Sequence, residues 1–173
     1  MLAEDTVVVT IMTNLGFRHA MSARGIDVVE TAVGDRSVLQ ALQERKLSIG
    51  GEQSGHVIFT DLATTGDGVL TGLQLLDVMA RTGRTLADLA SVMHRLPQVL
   101  VNVPIDRRDP NLLEHLAVDL VAAETELGDR GRVLVRPSGT EPVVRVMVEG
   151  PSIEEAGRIA DHLVAAVERI TRR

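Results

Sequence analysis

What most constrains this chain is the order in which strand-like and helix-like periodicities alternate along it. Residues 6–12 (TVVVTIM) are rich in β-branched types and read as a buried strand. Asn14 is placed to cap a helix running to about Arg24, which Gly25 stops. Residues 26–33 (IDVVETAV) read as a second strand. Asp35 then reads as the cap of a helix through Lys46, with Val38, Leu39, Leu42 and Leu47 on its apolar side. A short strand at 47–50, a Gly-rich turn and a strand at 56–60 follow. Parallel strands need helical crossovers, so this βαβαβ rhythm predicts a layered α/β domain with a mainly parallel sheet.

Two more helices are expected before the pattern changes. One covers about Asp67–Arg81, with Leu70, Leu73, Leu76, Val78 and Met79 as its apolar residues. The next opens at Thr85, which has capping-box spacing to Asp88, and ends before Pro97. Beyond Pro97 the order becomes β-α-β-β-α. Residues 98–105 (QVLVNVPI) read as a strand, and Asp109-Pro110 as a helix opening. Leu112, Leu113, Leu116, Leu120, Val121 and Leu127 form one helical stripe, followed by strands at 131–136 and 143–149. The last helix carries a second capping box at Ser152 and Glu155 and a stripe of Ile153, Ala156, Ile159, Ala160, Leu163, Val164, Val167 and Ile170. The expected organisation is an α/β domain over 1–96 and, over 97–173, a small α+β domain whose antiparallel sheet carries two helices on one face.

Composition removes several functions. Among 173 residues there is no cysteine, which excludes disulfides, thiolate metal sites and a cysteine nucleophile. A net charge of −6 argues against a general nucleic-acid or anionic-membrane binder, and two Phe with no Tyr or Trp leave little for bases to stack on. No uncharged apolar run approaches membrane-spanning length, and the acidic start MLAEDTVVVT is unlike a signal peptide, so a cytoplasmic protein is expected. The five histidines are dispersed without metal-ligand spacing. His19, His94, His115 and His162 read as helix-surface or boundary residues, and His56, which closes the Gly-rich turn, as a structural hydrogen-bonding residue in preference to a ligand contact. Arg107-Arg108 is too short a basic run to indicate nucleic acid. The near-immediate start on an apolar run fits either a full-length domain or a piece of a longer protein.

Two loops have the residue types for chemistry. In Gly50-Gly51-Glu52-Gln53-Ser54-Gly55-His56, three glycines let the backbone turn sharply around a carboxylate, an amide and a hydroxyl. That set suits the hydroxyls of a sugar; it also suits an ordinary polar turn. In Arg136-Pro137-Ser138-Gly139-Thr140-Glu141-Pro142, followed by Arg145, a hairpin tip offers hydroxyls, backbone N–H groups and guanidinium forks. These can enclose a phosphate, or they can be a polar connector beside a surface arginine.

Taken together, GGEQSGH at 50–56 and RPSGTEP at 136–142, followed by VVRVMVEG, resemble the α-D-phosphohexomutase superfamily. VGDR at 33–36, TTGDG at 64–68 and MTN at 12–14 match the same pattern, so the resemblance covers essentially the whole chain. Gln53 makes the first loop most similar to the phosphoglucosamine mutase branch rather than to the phosphomannomutases or phosphoglucomutases. A non-catalytic sugar-phosphate-binding module is the alternative from another class. The resemblance implies a C-terminal piece of a four-domain enzyme: most of the third domain, and a complete, TBP-like fourth. It implies that Glu52 and Ser54 contact sugar hydroxyls, with Asp35 and Arg36 as a further contact. Arg136, Ser138, Gly139 and Thr140 would hold the phosphate that is not reacting, with Arg145 beside them. Where the family usually has an aromatic residue after VGDR, this chain has Ser37.

The chemistry implied is interconversion of glucosamine 6-phosphate and glucosamine 1-phosphate through a hexosamine 1,6-bisphosphate, on the route to cell-wall precursors. The chain has no Ser-His-Asn run and no Asp-x-Asp-x-Asp cluster. The resemblance therefore places the phosphoserine, the general acid and the Mg2+ upstream of Met1, leaving no catalytic or metal-binding residue here. The expected partners are a small sugar phosphate and the upstream domains of the same polypeptide, with neither nucleic acid nor membrane. Homodimerisation through an exposed apolar edge is also allowed.

Overall fold

The structure is a computed structural model that describes residues 2–171. It divides into two compact units, Met1–Arg95 and Leu96–Arg173.

The first unit contains β1 (Thr6–Thr10), α1 (Leu15–Ser22), β2 (Asp27–Thr31), α2 (Asp35–Arg45), β3 (Ile49–Gly51), β4 (Val57–Phe59), α3 (Gly68–Thr82) and α4 (Leu86–Ala90). The strand order is β2-β1-β3-β4. β1 runs parallel to β2 and β3, in a register that sets Val8 beside Val29 and Gly50. β4 is antiparallel to β3; the short connection between them leaves no room for a crossover helix, so a hairpin is the available geometry. The expected mainly parallel sheet thus carries one antiparallel edge strand. Val8, Val38, Leu42, Leu47 and Ile58 form its buried core, the α2 residues packing on the β1 face that presents Val8.

Local signals explain most helix ends. The Asn14 side chain accepts from the Gly16 N–H at 3.0 Å, and Gly25, at φ 67°, turns the chain after α1. Gly16 also has no room for a side chain: a Cβ there would lie 1.9 Å from the His94 carbonyl oxygen. Asp35, expected to cap α2, is instead its first residue. Gly34 takes the cap position at φ 120°, a conformation that an aspartate rarely adopts. Asp67 caps α3 through the Val69 and Leu70 N–H groups, and Thr85 and Asp88 form the reciprocal box of α4. The apolar side expected of α3 is not a buried face. None of its residues is buried, and Leu73 and Leu76 are 58% and 59% exposed.

The second unit contains β5 (Gln98–Pro104), α5 (Leu112–His115), α6 (Ala117–Leu127), β6 (Arg132–Pro137), β7 (Val143–Glu149) and α7 (Ile153–Thr171). Its antiparallel sheet has the order β5-β7-β6. Strand alternation sends Val99, Val101, Val103, Val133, Val135, Val144, Val146 and Val148 to one face, where they meet α6 and α7. Leu100, Asn102, Arg145, Met147, Glu149, Arg132, Leu134 and Arg136 fall on the other.

Two helix expectations change here. The helix expected at Asp109-Pro110 begins only after Asn111, because the Asp109 carboxylate closes a turn on the Asn111 N–H at 2.8 Å. That bond, and then His115, hold the Asp109 carboxyl below its usual range. The single leucine stripe is divided between α5 and α6 at Leu116. The break buries Leu112, Leu116 and Leu127 but leaves Leu113 and Val121 exposed. In α7 only half of the second box forms. Ser152 accepts from the Glu155 N–H at 3.1 Å, while the Glu155 carboxylate pairs with Arg130. In the α7 stripe Ala156, Ile159, Ala160, Leu163 and Val167 are buried, Val164 and Ile170 are partly buried, and Ile153 is exposed.

Candidate functional site

The β3–β4 loop of the first unit is shaped by its glycines. The Glu52 N–H donates to the His56 carbonyl at 2.9 Å, and the Gly55 N–H to the Glu52 carbonyl at 3.1 Å, closing a tight tip with Gly55 at φ 97°. A Cβ on Gly51 would lie 2.8 Å from the His56 carbonyl oxygen, so any side chain there would force the loop backbone to shift. The VGDR turn faces this loop. The Glu52 carboxylate accepts from the Gly34 N–H at 2.9 Å, and His56 Nδ1 pairs with an Asp35 carboxylate oxygen at 3.0 Å. The TTGDG segment meets the same group, with Gly66 against the His56 side chain.

Asp35, Glu52 and His56 thus converge, with one polar atom of each within 4.8 Å of the others. Hydrogen bonding with Glu52, followed by that with His56, holds the Asp35 carboxyl below its usual range, so Asp35 is the acceptor whenever the two acids share a proton. Gln53 and Ser54 stand exposed at the tip, and among the described residues their side chains have no hydrogen-bond partner. A carboxylate pair with a free amide and hydroxyl can accept from and donate to a polyol. Of the expected contacts, Asp35 joins Glu52, whereas Arg36 is exposed on the first turn of α2 and joins neither.

In the second unit the β6–β7 register sets Arg136 directly opposite Arg145, and the β5–β7 register sets Asn102 on the other side of Arg145. Two like charges at opposed positions on one face repel each other. Arg145 donates through Nη2 to Glu141 Oε2 at 2.8 Å, but its Nε is buried without a partner. Arg136 has no carboxylate within ion-pair distance among the described residues. An anion on this face would offset that repulsion.

The hairpin tip is held at several points. The Ser138 N–H donates to the Val143 carbonyl at 2.8 Å, and Ser138 Oγ accepts from the Glu141 N–H at 3.2 Å. The Ile105 N–H donates to the Pro142 carbonyl at 3.0 Å, and Arg108 Nη2 to the Gly139 carbonyl at 3.1 Å. Ser138 is buried while Gly139 and Thr140 are exposed. A Cβ on Gly139 would meet nothing within 4 Å, so the chain's own packing does not demand glycine there; the open space is on the solvent side, where a ligand can approach the backbone.

Sequence reasoning missed two neighbours of this hairpin. Asn102 was legible only through the register that pairs the valine alternation of β5 with that of β7. Arg108 carried no signal, since its bond spans 31 residues. His115 and His162 pair with Asp109 and Asp119 on the surface.

Residues 1–96 match the family described as phosphoglucomutase/phosphomannomutase, alpha/beta/alpha domain III, and residues 100–166 match its C-terminal domain. The chain is 60% identical over 168 residues to the phosphoglucosamine mutase of Streptomyces avermitilis, and 57% identical over 167 residues to that of Thermobifida fusca. Each comparison covers 96% of this chain but 37% of the relative, so the chain spans little more than a third of their length. The Aspergillus fumigatus N-acetylphosphoglucosamine mutase, described in complex with GlcNAc-6P and magnesium, has the same fold over 98% of this chain and 39% of that one, with a TM-score of 0.78 at 20% identity. A serine-to-alanine variant of the same fungal enzyme, described in complex with glucose 1,6-bisphosphate, matches over 96% of this chain and 38% of that one, with a TM-score of 0.77 at 21% identity. Among the described residues no helix is long and apolar enough to cross a membrane.

Proposed function

The chain belongs to the phosphoglucomutase/phosphomannomutase family, and on that footing we propose that it is the sugar-reading and phosphate-holding part of a cytoplasmic phosphoglucosamine mutase. In this reading the enzyme interconverts glucosamine 6-phosphate and glucosamine 1-phosphate through a bisphosphate. Glu52 and Ser54, with Asp35 beside them, bind ring hydroxyls. Arg136, Arg145, Ser138, Gly139 and Thr140 bind the phosphate that is not reacting. A substrate that must react at both ends is bound in two opposite orientations. The distal phosphate is common to both, and the equatorial 3- and 4-hydroxyls nearly exchange places when the ring turns over. A strong grip on the phosphate with a permissive polar loop for the ring fits that requirement.

In this reading the family's Mg2+ is held by residues outside this chain. Asp35, Glu52 and His56 are the three-group set the described residues offer, and they do not fit it. The His56 imidazole is paired with Asp35, and Glu52 is engaged by a backbone N–H; Mg2+ takes a near-octahedral set of oxygens. No step of phosphoryl transfer is given to these residues.

The observation that carries the reading is the opposed Arg136–Arg145 pair at the base of a hairpin whose Gly139 and Thr140 N–H groups have no partner among the described residues. Titration of the chain with glucosamine 6-phosphate, followed by calorimetry, tests it. Arg136→Ala removes a charged hydrogen-bonding fork and is expected to weaken binding by ~2–4 kcal/mol. Unchanged affinity in that variant would refute the phosphate role.

A further inference from the structure

We infer that Arg108 is a positioning residue of the hairpin, which holds the Gly139 carbonyl so that the Thr140 N–H is aimed at the bound phosphate. The inference rests on the phosphate reading above.

Four backbone N–H groups lie between Ser138 and Glu141, and two of them are already committed. The Ser138 N–H is bound to the Val143 carbonyl and the Glu141 N–H to Ser138 Oγ. Those of Gly139 and Thr140 have no hydrogen-bond partner among the described residues. They are therefore the donors left for an anion, set between two pinned ends.

Which way they point depends on one peptide plane. The chain has no cis peptide bond among the described residues. In a trans peptide the carbonyl of one residue and the N–H of the next point in opposite directions. Arg108 draws the Gly139 carbonyl to itself at 3.1 Å, so the Thr140 N–H is turned away from Arg108. Gly139 adds little resistance to tilting of this plane, because it has no Cβ, while Thr140 limits the range by keeping its φ negative. Nothing else among the described residues bonds to the Gly139 carbonyl. Without Arg108 this plane loses the hydrogen bond that fixes its tilt, and the Thr140 N–H is no longer held on one line toward the phosphate.

The arginine is itself anchored. Three residues before it, the Ile105 N–H donates to the Pro142 carbonyl at 3.0 Å, tying the start of the β5–α5 connection to the far side of the hairpin. The neighbouring Asp109 is occupied by the Asn111 N–H and His115. The Gly139 carbonyl is the partner that Arg108 takes among the described residues.

The test is an amide NMR titration of the whole chain with inorganic phosphate, using wild type, Arg108→Ala, Arg108→Lys and Arg136→Ala, with thermal unfolding of each. In wild type, phosphate is expected to shift the Gly139 and Thr140 amide resonances. In Arg108→Ala, affinity falls roughly three- to tenfold, the size expected of one hydrogen-bond donor. The Thr140 response is lost, and the unfolding midpoint is unchanged. Arg108→Lys, which keeps a donor and a charge, restores part of both. Three results overturn the inference: wild-type phosphate affinity in Arg108→Ala, an intact Thr140 response in that variant, or a loss accounted for by unfolding. If wild type fails to bind phosphate, or if Arg136→Ala binds it as well as wild type does, the phosphate reading falls with it. A loss in Arg136→Ala with none in Arg108→Ala overturns this inference alone.

Discussion

Glu141→Gln is predicted to tighten phosphate binding, because Glu141 occupies a guanidinium of the proposed phosphate site. Glu141 Oε2 accepts from Arg145 Nη2 at 2.8 Å, with the two side chains 59% and 33% exposed. An ion pair so open to water is worth about 0.2–1 kcal/mol, so the phosphate can displace it at modest cost. The carboxylate also repels the incoming anion directly. Two unit charges ~6 Å apart in bulk water interact by about 0.7 kcal/mol, and salt screens part of that. The two effects add in the same direction, to about 1 kcal/mol, or roughly a fivefold lower Kd. Glutamine keeps the length and polarity of the side chain, so the hairpin geometry is preserved. Calorimetric titration with inorganic phosphate at low and high salt measures the change, which should shrink as salt rises. Arg145→Ala should bind phosphate more weakly than wild type, and Glu141→Gln added to it should gain only the direct electrostatic part. Weaker or equal binding in Glu141→Gln at low salt would refute the reasoning, since Arg145 would then need its carboxylate in order to be placed.

The remaining predictions concern packing, surface and pH. Gly131→Ala would put a Cβ 2.3 Å from the Glu149 carbonyl oxygen and 2.7 Å from a Leu127 methyl; a loss of about 1–3 kcal/mol is expected in chemical denaturation of the second unit. Leu73→Glu with Leu76→Glu changes side chains that are more than half exposed. It should leave the unfolding free energy within about 0.5 kcal/mol per site, and light scattering should show less self-association. Asp109 has its carboxyl held low by the Asn111 N–H and then by His115. A depressed carboxyl stabilises the fold above its ordinary value of 3.8 and loses that contribution as pH falls through the lower folded value. Asp109→Asn should therefore flatten the acid limb of stability below pH 3.8 and leave the neutral-to-basic limb unchanged, as read by unfolding at a series of pH values.

What the sequence made legible follows from how far each signal reaches. The strands of both units were visible because β-branched runs and valine alternation are local, and capping at Asn14, Asp67 and Thr85 was visible because each bond closes within a few residues. The errors lie where a local signal competed with a distant partner. Asp35 has the composition of a helix cap, but the chain spends its side chain on His56, 21 residues on, and lets Gly34 make the turn. Glu155 has the spacing of a capping box, but Arg130 draws its carboxylate away. The candidate site divides in the same way. Glu52, Ser54 and the Ser138–Thr140 tip stand out as polar groups between glycines or prolines. Arg136 and Arg145 look like two separate arginines until the β6–β7 register sets them side by side. Neither Asn102 beside them nor Arg108 on the loop belongs to any motif, because their positions depend on strand order β5-β7-β6 and on a contact across 31 residues. The residue types of the proposed anion site are therefore written locally, while the juxtaposition of its two arginines is made by sheet pairing. A substitution that shifted β7 by one residue would rotate Arg145 to the helix-covered face and abolish the site with every motif residue still present.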